Sequence, residues 1–476
     1  MRIFVVWCLL LPVFCFSQAD STRVLGIDAF VQLVLANHPV IKQAELITQS
    51  AEAGITQAKG QFDPKISASY DLKNFKDTEY WDLLNGTLKV PLRVPIDPKI
   101  SFDRNEGDFI NAERSIPASN GNRQISAGIS LPIGQGLLID ERRATLRQAE
   151  IYREIAEADQ IKMANKLLLK AIKDYWEWNL AYQEVILLQR SIAISRELFE
   201  RVVLDYEAGE AALIDTIQAK ITYQDRIVDY ETVLLDLNQS KLLLENHLWS
   251  IDQFPLGLED NVVPDTIADL GIIPDQSTLA LLLDWATRQH PDLLKTSGKI
   301  DQLEVERRWN QEMLKPIVDL EYSFIDAPIT PQGDGETPSF SDNYKLGVGF
   351  SFPIYLRKER GKLQKTNLKL QEQQFEFERQ KLAIRNNVQS KFFEIQTSDR
   401  LTAQYREMAA NYQRLLQAEI LNLEAGESDL FKLNIQQDKF IESQLKYLKT
   451  LTKLRKNKVE IYYEAGYPYL NVLTIP

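Results

Sequence analysis

Three histidines, His38, His247 and His290, are the only imidazoles in this chain of 476 residues, and no two stand at the i, i+4 spacing that brings a pair onto one metal. His38 and His290 each precede a proline, in Asn37-His38-Pro39 and Gln289-His290-Pro291, which marks a helix junction and a structural role. Both cysteines, Cys8 and Cys15, fall in an apolar N-terminal segment, so the chain beyond it holds neither a disulfide nor a thiolate metal site. There is no glycine-rich phosphate loop and no nucleophile elbow. The carboxylates are interspersed with Lys and Arg along helical stretches, as on solvated faces. No catalytic, cofactor-binding or metal-ligating residue is assigned, and an enzyme is not expected. A formal net charge of -12 also argues against nucleic acid, whose binding needs clustered cations that displace counterions.

The elements that remain must therefore act by shape. Arg2 is followed by an apolar run from Ile3 to Phe16 and then by small residues at Ser17 and Ala19, the pattern of a signal peptide over residues 1–19. Cys15 follows Leu11-Pro12-Val13-Phe14, without the small residue that precedes a lipidated cysteine, so cleavage without lipidation is expected. The run is shorter than the roughly 20 residues of a membrane-spanning helix, and no longer apolar stretch follows, which excludes a helical membrane protein.

The chain is written twice. Asn37-His38-Pro39 matches Gln289-His290-Pro291, and at the same offset Pro64 matches Pro316 and Tyr70 matches Tyr322. Ser130-Leu131-Pro132-Ile133, leading to Arg142-Arg143, matches Ser351-Phe352-Pro353-Ile354, leading to Arg357-Lys358. Glu207-Ala208-Gly209-Glu210 matches Glu424-Ala425-Gly426-Glu427. The expected layout is a first repeat over 20–250, a linker over 251–276, a second repeat over 277–466 and a tail over 467–476. Pro255, Gly257, Pro264, Gly271 and Pro274 break the helical pattern in the linker.

Long helices are expected at about 138–208, 213–249, 357–425 and 429–465. In the first, Ile151, Ile155, Ala158, Ile161, Ala164, Leu168, Ile172 and Trp176 recur at steps of three and four and form one stripe. At ~1.5 Å rise per residue such a helix is on the order of 100 Å long, and its stripe needs partner helices. Gly209 and Gly426 end the two longest helices, where a left-handed turn residue is favoured.

Between the helices the period changes to two. Tyr344, Leu346, Val348, Phe350, Phe352 and Ile354 alternate with polar or small residues, as do Val318, Leu320, Tyr322 and Phe324. Ile66, Ala68, Tyr70 and Leu72, then Ile125, Ala127, Ile129 and Leu131, echo this in the first repeat. Four strands are thus expected, at about 65–74, 122–133, 316–326 and 342–355, each with one apolar and one polar face. Their length suits a transmembrane barrel with strands of ~9–11 residues. Four strands cannot close alone in lipid, where an unpaired edge costs several kcal/mol per group, so the barrel must be shared between copies, and a solute passage favours three or more. The segments Asn74 to Arg123 and Asp326 to Asp342 are read as loops outside the cell; the first leaves room for an extra short hairpin around Lys89 to Asp103.

The ordered set of a duplicated helix, strand, strand, long helix, Gly turn and helix resembles the TolC family of outer-membrane efflux proteins over almost the whole chain. The resemblance implies a mainly α fold with a β-barrel portion. Long coiled-coil hairpins form a periplasmic α-barrel, and a homotrimer shares a twelve-stranded transmembrane β-barrel in outer-membrane lipid. It further implies a passive exit duct for small molecules or polypeptides in a tripartite efflux or secretion system. Energy comes from an inner-membrane pump or ABC transporter through a periplasmic adaptor protein. The adaptor is expected at the tip turns, around Glu207, Gly209, Glu210, Glu424, Gly426 and Glu427. In the family, acidic residues past the tip Gly line the pore entrance. Asp215 stands at such a place, six residues after Gly209; the equivalent is Lys432, with Asp429 and Asp438 nearby, so the acidic ring departs from the family pattern. The alternative readings are a soluble periplasmic coiled-coil adaptor and a structural envelope protein.

Overall fold

The computed structural model describes residues 22–266, 273–326 and 342–468. The leader segment 1–19 with Cys8 and Cys15, part of the linker, nearly all of the loop between Asp326 and Asp342, and most of the C-terminal tail lie outside the described residues. In chain order the elements are β1 (Arg23–Leu25), α1 (Ile27–Asn37), α2 (Pro39–Lys59), β2 (Lys65–Phe75), β3 (Thr78–Lys89), β4 (Asp97–Glu106), β5 (Arg123–Pro132), α3 (Glu141–Glu207) and α4 (Leu213–Glu245). There follow β6 (Val262–Pro264), α5 (Gln276–Gln289), α6 (Pro291–Glu312), β7 (Ile317–Asp326), β8 (Tyr344–Ser351), α7 (Arg357–Glu424) and α8 (Leu430–Glu464). Two of the helices run to 67 and 68 residues, and no described helix is long and apolar enough to cross a membrane.

The chain forms two compact units, each drawing on both halves of the sequence. The first comprises residues up to Ile41, Ala164–Leu283 and Asn387 onward. Its core gathers Phe30, Val31 and Val34 of α1 against Leu168, Ile172, Tyr175 and Trp178 of α3 and Leu244 of α4. β1 pairs in parallel with β6. The Tyr175 hydroxyl donates to the Leu25 carbonyl at 2.8 Å and accepts from the Asp265 N–H at 3.3 Å, so the buried phenol is satisfied at the ends of both short strands. Burial pushes its pKa up to about 12.

The second unit comprises Lys42–Met163 and Asp284–Asn386. Here Ala144, Ile151 and Ile155 of α3 meet Val305 of α6. The contact is reinforced by Lys295 on Asp159 at 2.8 Å and by Gln148 and Gln302, whose side-chain amides donate to each other's main-chain carbonyls at 3.4 and 3.1 Å. Gly298 lies at a tight approach of α6 to α3: a Cβ there would stand 2.5 Å from Ile155 Cγ1.

The unit also carries an antiparallel sheet in the order β2-β3-β4-β5-β7-β8. The four strands expected from alternation are present as β2, β5, β7 and β8. The sheet corrects the count to six, because β3 and β4 insert between the first two and pair along their length. The segment Asn74 to Arg123 is therefore not one external loop. It holds a hairpin where one was expected around Lys89 to Asp103, with strands longer than that range, and the hairpin's turn, Val90–Ile96, lies at the end where Lys65 and Ser130 stand, the end joined to the helices.

The two histidine junctions work alike. His38 closes α1 and His290 closes α5, and each precedes a proline at the first position of the next helix. Nδ1 of His38 accepts the Val40 N–H and Nδ1 of His290 accepts the Asp292 N–H, both at 3.1 Å, which caps α2 and α6. Burial lowers the pKa of both imidazoles from the ordinary value. Below roughly pH 6.5 the unfolded chain binds protons that the folded chain refuses, so stability falls as pH drops through that value toward the folded pKa. The double variant His38→Asn/His290→Asn keeps capping acceptors that do not titrate. Its thermal midpoint is expected to match the parent near neutral pH and to fall less on acidification; an unchanged acid slope would refute the assignment.

Candidate functional site

The six-stranded sheet has two chemically distinct faces, and the strand register places every residue on one or the other. One face carries Ile66, Tyr70 and Leu72 of β2, Leu84 and Leu88 of β3, Ile100 and Phe102 of β4, and Ile125 and Ile129 of β5. It continues with Leu320, Tyr322 and Phe324 of β7 and Tyr344, Leu346, Val348 and Phe350 of β8. On the outer strands these apolar side chains are open, Ile66 being 83% exposed and Phe350 72%, and on the inner strands Leu84, Phe102 and Ile125 are half-buried among their neighbours. An apolar band running unbroken across a whole sheet and open to its surroundings is the arrangement that lipid, not water, accommodates. At the loop end the band gives way to an Asp82–Arg104 ion pair at 3.0 Å and to aromatic clusters, with Phe75 near Tyr80 and Tyr322 near Tyr344. Phe352, Ile354 and Tyr355 continue it at the helix end, with Arg357 over the Tyr355 ring at 4.9 Å.

The other face is polar. Ser67, Ser69 and Asp71 of β2, Ser101 and Asp103 of β4, Ser126 of β5, Asp319 and Glu321 of β7 and Lys345 of β8 lie on it. One register row brings Lys65, Lys89, Lys99, Gly128, Ser323 and Lys345 side by side across all six strands. Lys89 is paired with Asp97 at 3.1 Å. This layer is invisible in the linear sequence, where the four lysines are scattered; only the register aligns them. The outermost strands β2 and β8 each leave one edge unpaired.

The helical tips lie in the other unit. At the first, Gly209 takes φ +77, its N–H reaches the Tyr206 carbonyl, and the Glu210 N–H reaches Asp205 at 2.8 Å. At the second, Gly426 takes φ +75, its N–H reaches Leu423, and the Glu427 N–H reaches Asn422 at 2.9 Å. In both, the left-handed glycine lets the chain satisfy the last carbonyls of a long helix before reversing. Glu207 and Glu424 are the last residues of α3 and α7; the Glu424 side chain lies outside the described set.

Asp215 and Asp429 serve first as helix caps. The Asp215 carboxylate accepts the Ala212 N–H at 3.2 Å, and Asp429 accepts the Lys432 N–H at 2.9 Å. That backbone hydrogen bond from Lys432 holds the Asp429 carboxyl below its ordinary pKa, and the Lys432 ammonium stands 3.5 Å from it. The two tips share a cleft of about 770 Å³ into which Glu210, Asp215, Gly426 and Asp429 all look, together with Asp205, Arg201 and Phe431. Asp438 is not among them: it pairs with Arg226 of α4, which also contacts Asp229 at 3.4 Å. Sequence reasoning missed Arg226 and the exposed apolar residues flanking the turns, Leu213, Ile214, Leu421 and Phe431.

Among the described residues no group of three or more His, Cys, Asp or Glu is placed to hold a metal ion. A search of curated protein sequences finds no match. Among solved structures, the CmeC outer membrane channel of Campylobacter jejuni is similar at 14% identity, covering 94% of this chain and 88% of that one with a TM-score of 0.63. VceC, an outer membrane protein of Vibrio cholerae, is similar at 12% identity, 93% and 96% coverage and a TM-score of 0.64. The open state of the MtrE outer membrane channel of Neisseria gonorrhoeae is similar at 14% identity, 92% and 88% coverage and a TM-score of 0.65. These likenesses establish the fold. The family model for outer membrane efflux proteins matches residues 30–248 and 282–466, both repeats of the sequence. The chain belongs to the outer membrane efflux protein family, a TolC-like channel of the bacterial outer membrane that extends into the periplasm.

Proposed function

We propose that three copies of this chain pool their sheets into one barrel and act as the passive exit duct of a tripartite efflux or secretion system. The observation that carries this reading is the sheet itself: an open apolar face, a polar face opposite it, and two unpaired edges. In lipid such edges are untenable, at several kcal/mol for each unsatisfied backbone group, and a second copy is the partner that removes them. An antiparallel sheet with an even number of strands presents β8 running opposite to β2, so one copy's β8 meets the next copy's β2 in the same antiparallel sense. The polar faces then enclose water. With six strands per copy, three copies close eighteen rather than twelve, which belongs to the range of water-filled porins.

The periplasmic adaptor docks at the tips, on the turns around Gly209 and Gly426 and the exposed Leu213, Ile214, Leu421 and Phe431. An inner-membrane pump or ABC transporter behind the adaptor supplies the energy. The shared tip cleft supports this, because its acidic rim with apolar residues beside it suits a protein partner better than a solute. The duct forms no bond in its cargo. Asp215, Asp429 and Lys432 stand near the periplasmic entrance, where Lys432 pairs with Asp429 and Asp215 keeps its charge on the acidic rim.

The test places a photo-crosslinking residue at Ile214 or at Phe431 in cells. Capture of a periplasmic adaptor at both, and a heat-sensitive trimer in unboiled outer-membrane extracts, is expected. Recovery as a detergent-free monomer, or a gene deletion that leaves every export phenotype unchanged, would remove the proposal.

A further inference from the structure

The polar face has an apolar exception. Trp81 and Leu83 of β3 point to the side that otherwise carries Ser, Asp and Lys, and Leu83 is only 5% exposed. Its cover is the segment Gly107–Asn122 between β4 and β5, at the end of the sheet away from the helices. The chain leaves β4 at Gly107, whose φ of +128 and whose distance of 2.6 Å from an added Cβ to the Tyr80 carbonyl oxygen admit no side chain. The next two N–H groups pair with Glu79 and Tyr80 of β3. The segment then folds back over the sheet on its polar side.

Two contacts with the sheet fix that side, and the burial of Ile116 accompanies them. Asn105, directly opposite Leu83 in the ladder, donates from Nδ2 to the Arg114 carbonyl at 2.8 Å and is 6% exposed. Ile116 of the segment is 7% exposed. A small cavity of about 240 Å³ lies between the segment and the sheet, walled by Asp71, Trp81 and Leu83 on one side and Phe109, Ile110 and Arg114 on the other. On the opposite face of the same strands Ile100 and Tyr70 stay open. The segment is thus a folded piece with its own apolar contacts to the wall, and its hydrogen bonds at Arg114 and at Asn122, whose carbonyl accepts the Asn105 N–H, tie down its middle and its end.

We infer that Gly107–Asn122 projects into the lumen of the assembled duct and sets the aperture of its outer mouth. This rests on the reading that the polar faces enclose water. An eighteen-stranded wall alone leaves a wide hole, because barrel diameter grows with strand number. One inward segment from each copy narrows it, so the inserted β3–β4 hairpin widens the wall while the loop that follows it sets the passage. The loop presents Asp108, Glu113 and Arg114 to the passage, all exposed. The mouth therefore selects by size, with mixed charge at its rim.

The experiment uses the full chain purified from outer membranes and reconstituted in planar bilayers. Among residues 16–476 there is no cysteine, so Glu113→Cys is a unique label site on an exposed position. Coupling a polymer-bearing maleimide to it is expected to lower single-channel conductance by about half or more, whereas the same label on Asp77→Cys, at the β2–β3 turn, leaves it unchanged. A second variant, with Asn111–Ser119 replaced by two glycines, is expected to raise conductance about twofold or more. Full labelling at Glu113→Cys with unchanged conductance overturns the inference, as does a shortened loop that assembles and conducts like the parent. If the parent forms oligomers that never conduct, the channel reading itself fails and this inference with it; that outcome is distinct, because it precedes any modification of the loop.

Discussion

Leu346→Arg is expected to abolish assembly in the outer membrane, whereas Gly347→Arg beside it is expected to assemble normally. The two positions are neighbours on β8 and face opposite sides of the sheet, Leu346 in the apolar band with Tyr322 and Gly347 opposite Glu321. An arginine on the lipid face of a barrel near mid-bilayer costs about 2–4 kcal/mol, and in a shared barrel each copy bears that cost. At Gly347 a Cβ meets nothing closer than Glu321 Cβ at 3.8 Å, and a guanidinium would find that carboxylate within reach. Lys345 already places a charge on the same side. The check is the amount of heat-resistant oligomer in outer-membrane fractions. Equal loss for both variants, or equal tolerance, would contradict the assignment of faces.

Gly298→Leu is expected to disrupt the second unit, and Gly298→Ala to weaken it. Alanine is the better helix former by roughly 1 kcal/mol, so an unconstrained site would gain from the change. Here the new Cβ falls 2.5 Å from Ile155 Cγ1 and 3.0 Å from Cδ1, and α3 is held beside α6 by Lys295–Asp159. Overpacking of this kind costs about 1–3 kcal/mol, which exceeds the propensity gain. Gly298→Ala is thus expected to lower the thermal midpoint, and Ile155→Ala in the same chain to restore part of it, since the two residues share one contact. A midpoint that rises with Gly298→Ala alone would show that the approach of α6 to α3 is looser than described.

Legibility in the sequence followed the strength of each periodic signal. The stripe through Ile151, Ile155, Leu168 and Ile172 announced a long helix, and those residues are buried in it. β2, β5, β7 and β8 alternate cleanly because one face is uniformly apolar. β3 and β4 do not. Leu83 breaks the pattern from the polar side because the Gly107–Asn122 segment covers it, and Asp82 with Arg104 breaks it from the apolar side because the two neutralise each other. Pro91, Pro95 and Pro98 completed the appearance of a loop, although Pro98 stands in β4 opposite Ile129. At the tips, the glycine turns were readable from type alone. The partners of the acidic residues were not, since the bond that Asp429 accepts from the Lys432 N–H and the pairing of Asp438 with Arg226 depend on geometry that spacing only partly encodes.

A closed duct requires copies that join β8 to β2 around water. Electron cryomicroscopy of the protein extracted from outer membranes into lipid nanodiscs would see that junction directly. The expected image is a single closed barrel to which every copy gives six consecutive strands, with the Gly107–Asn122 segments inside its outer rim. Separate copies with bare β2 and β8 edges, or a ring from which the β3–β4 hairpin stands apart, would contradict it.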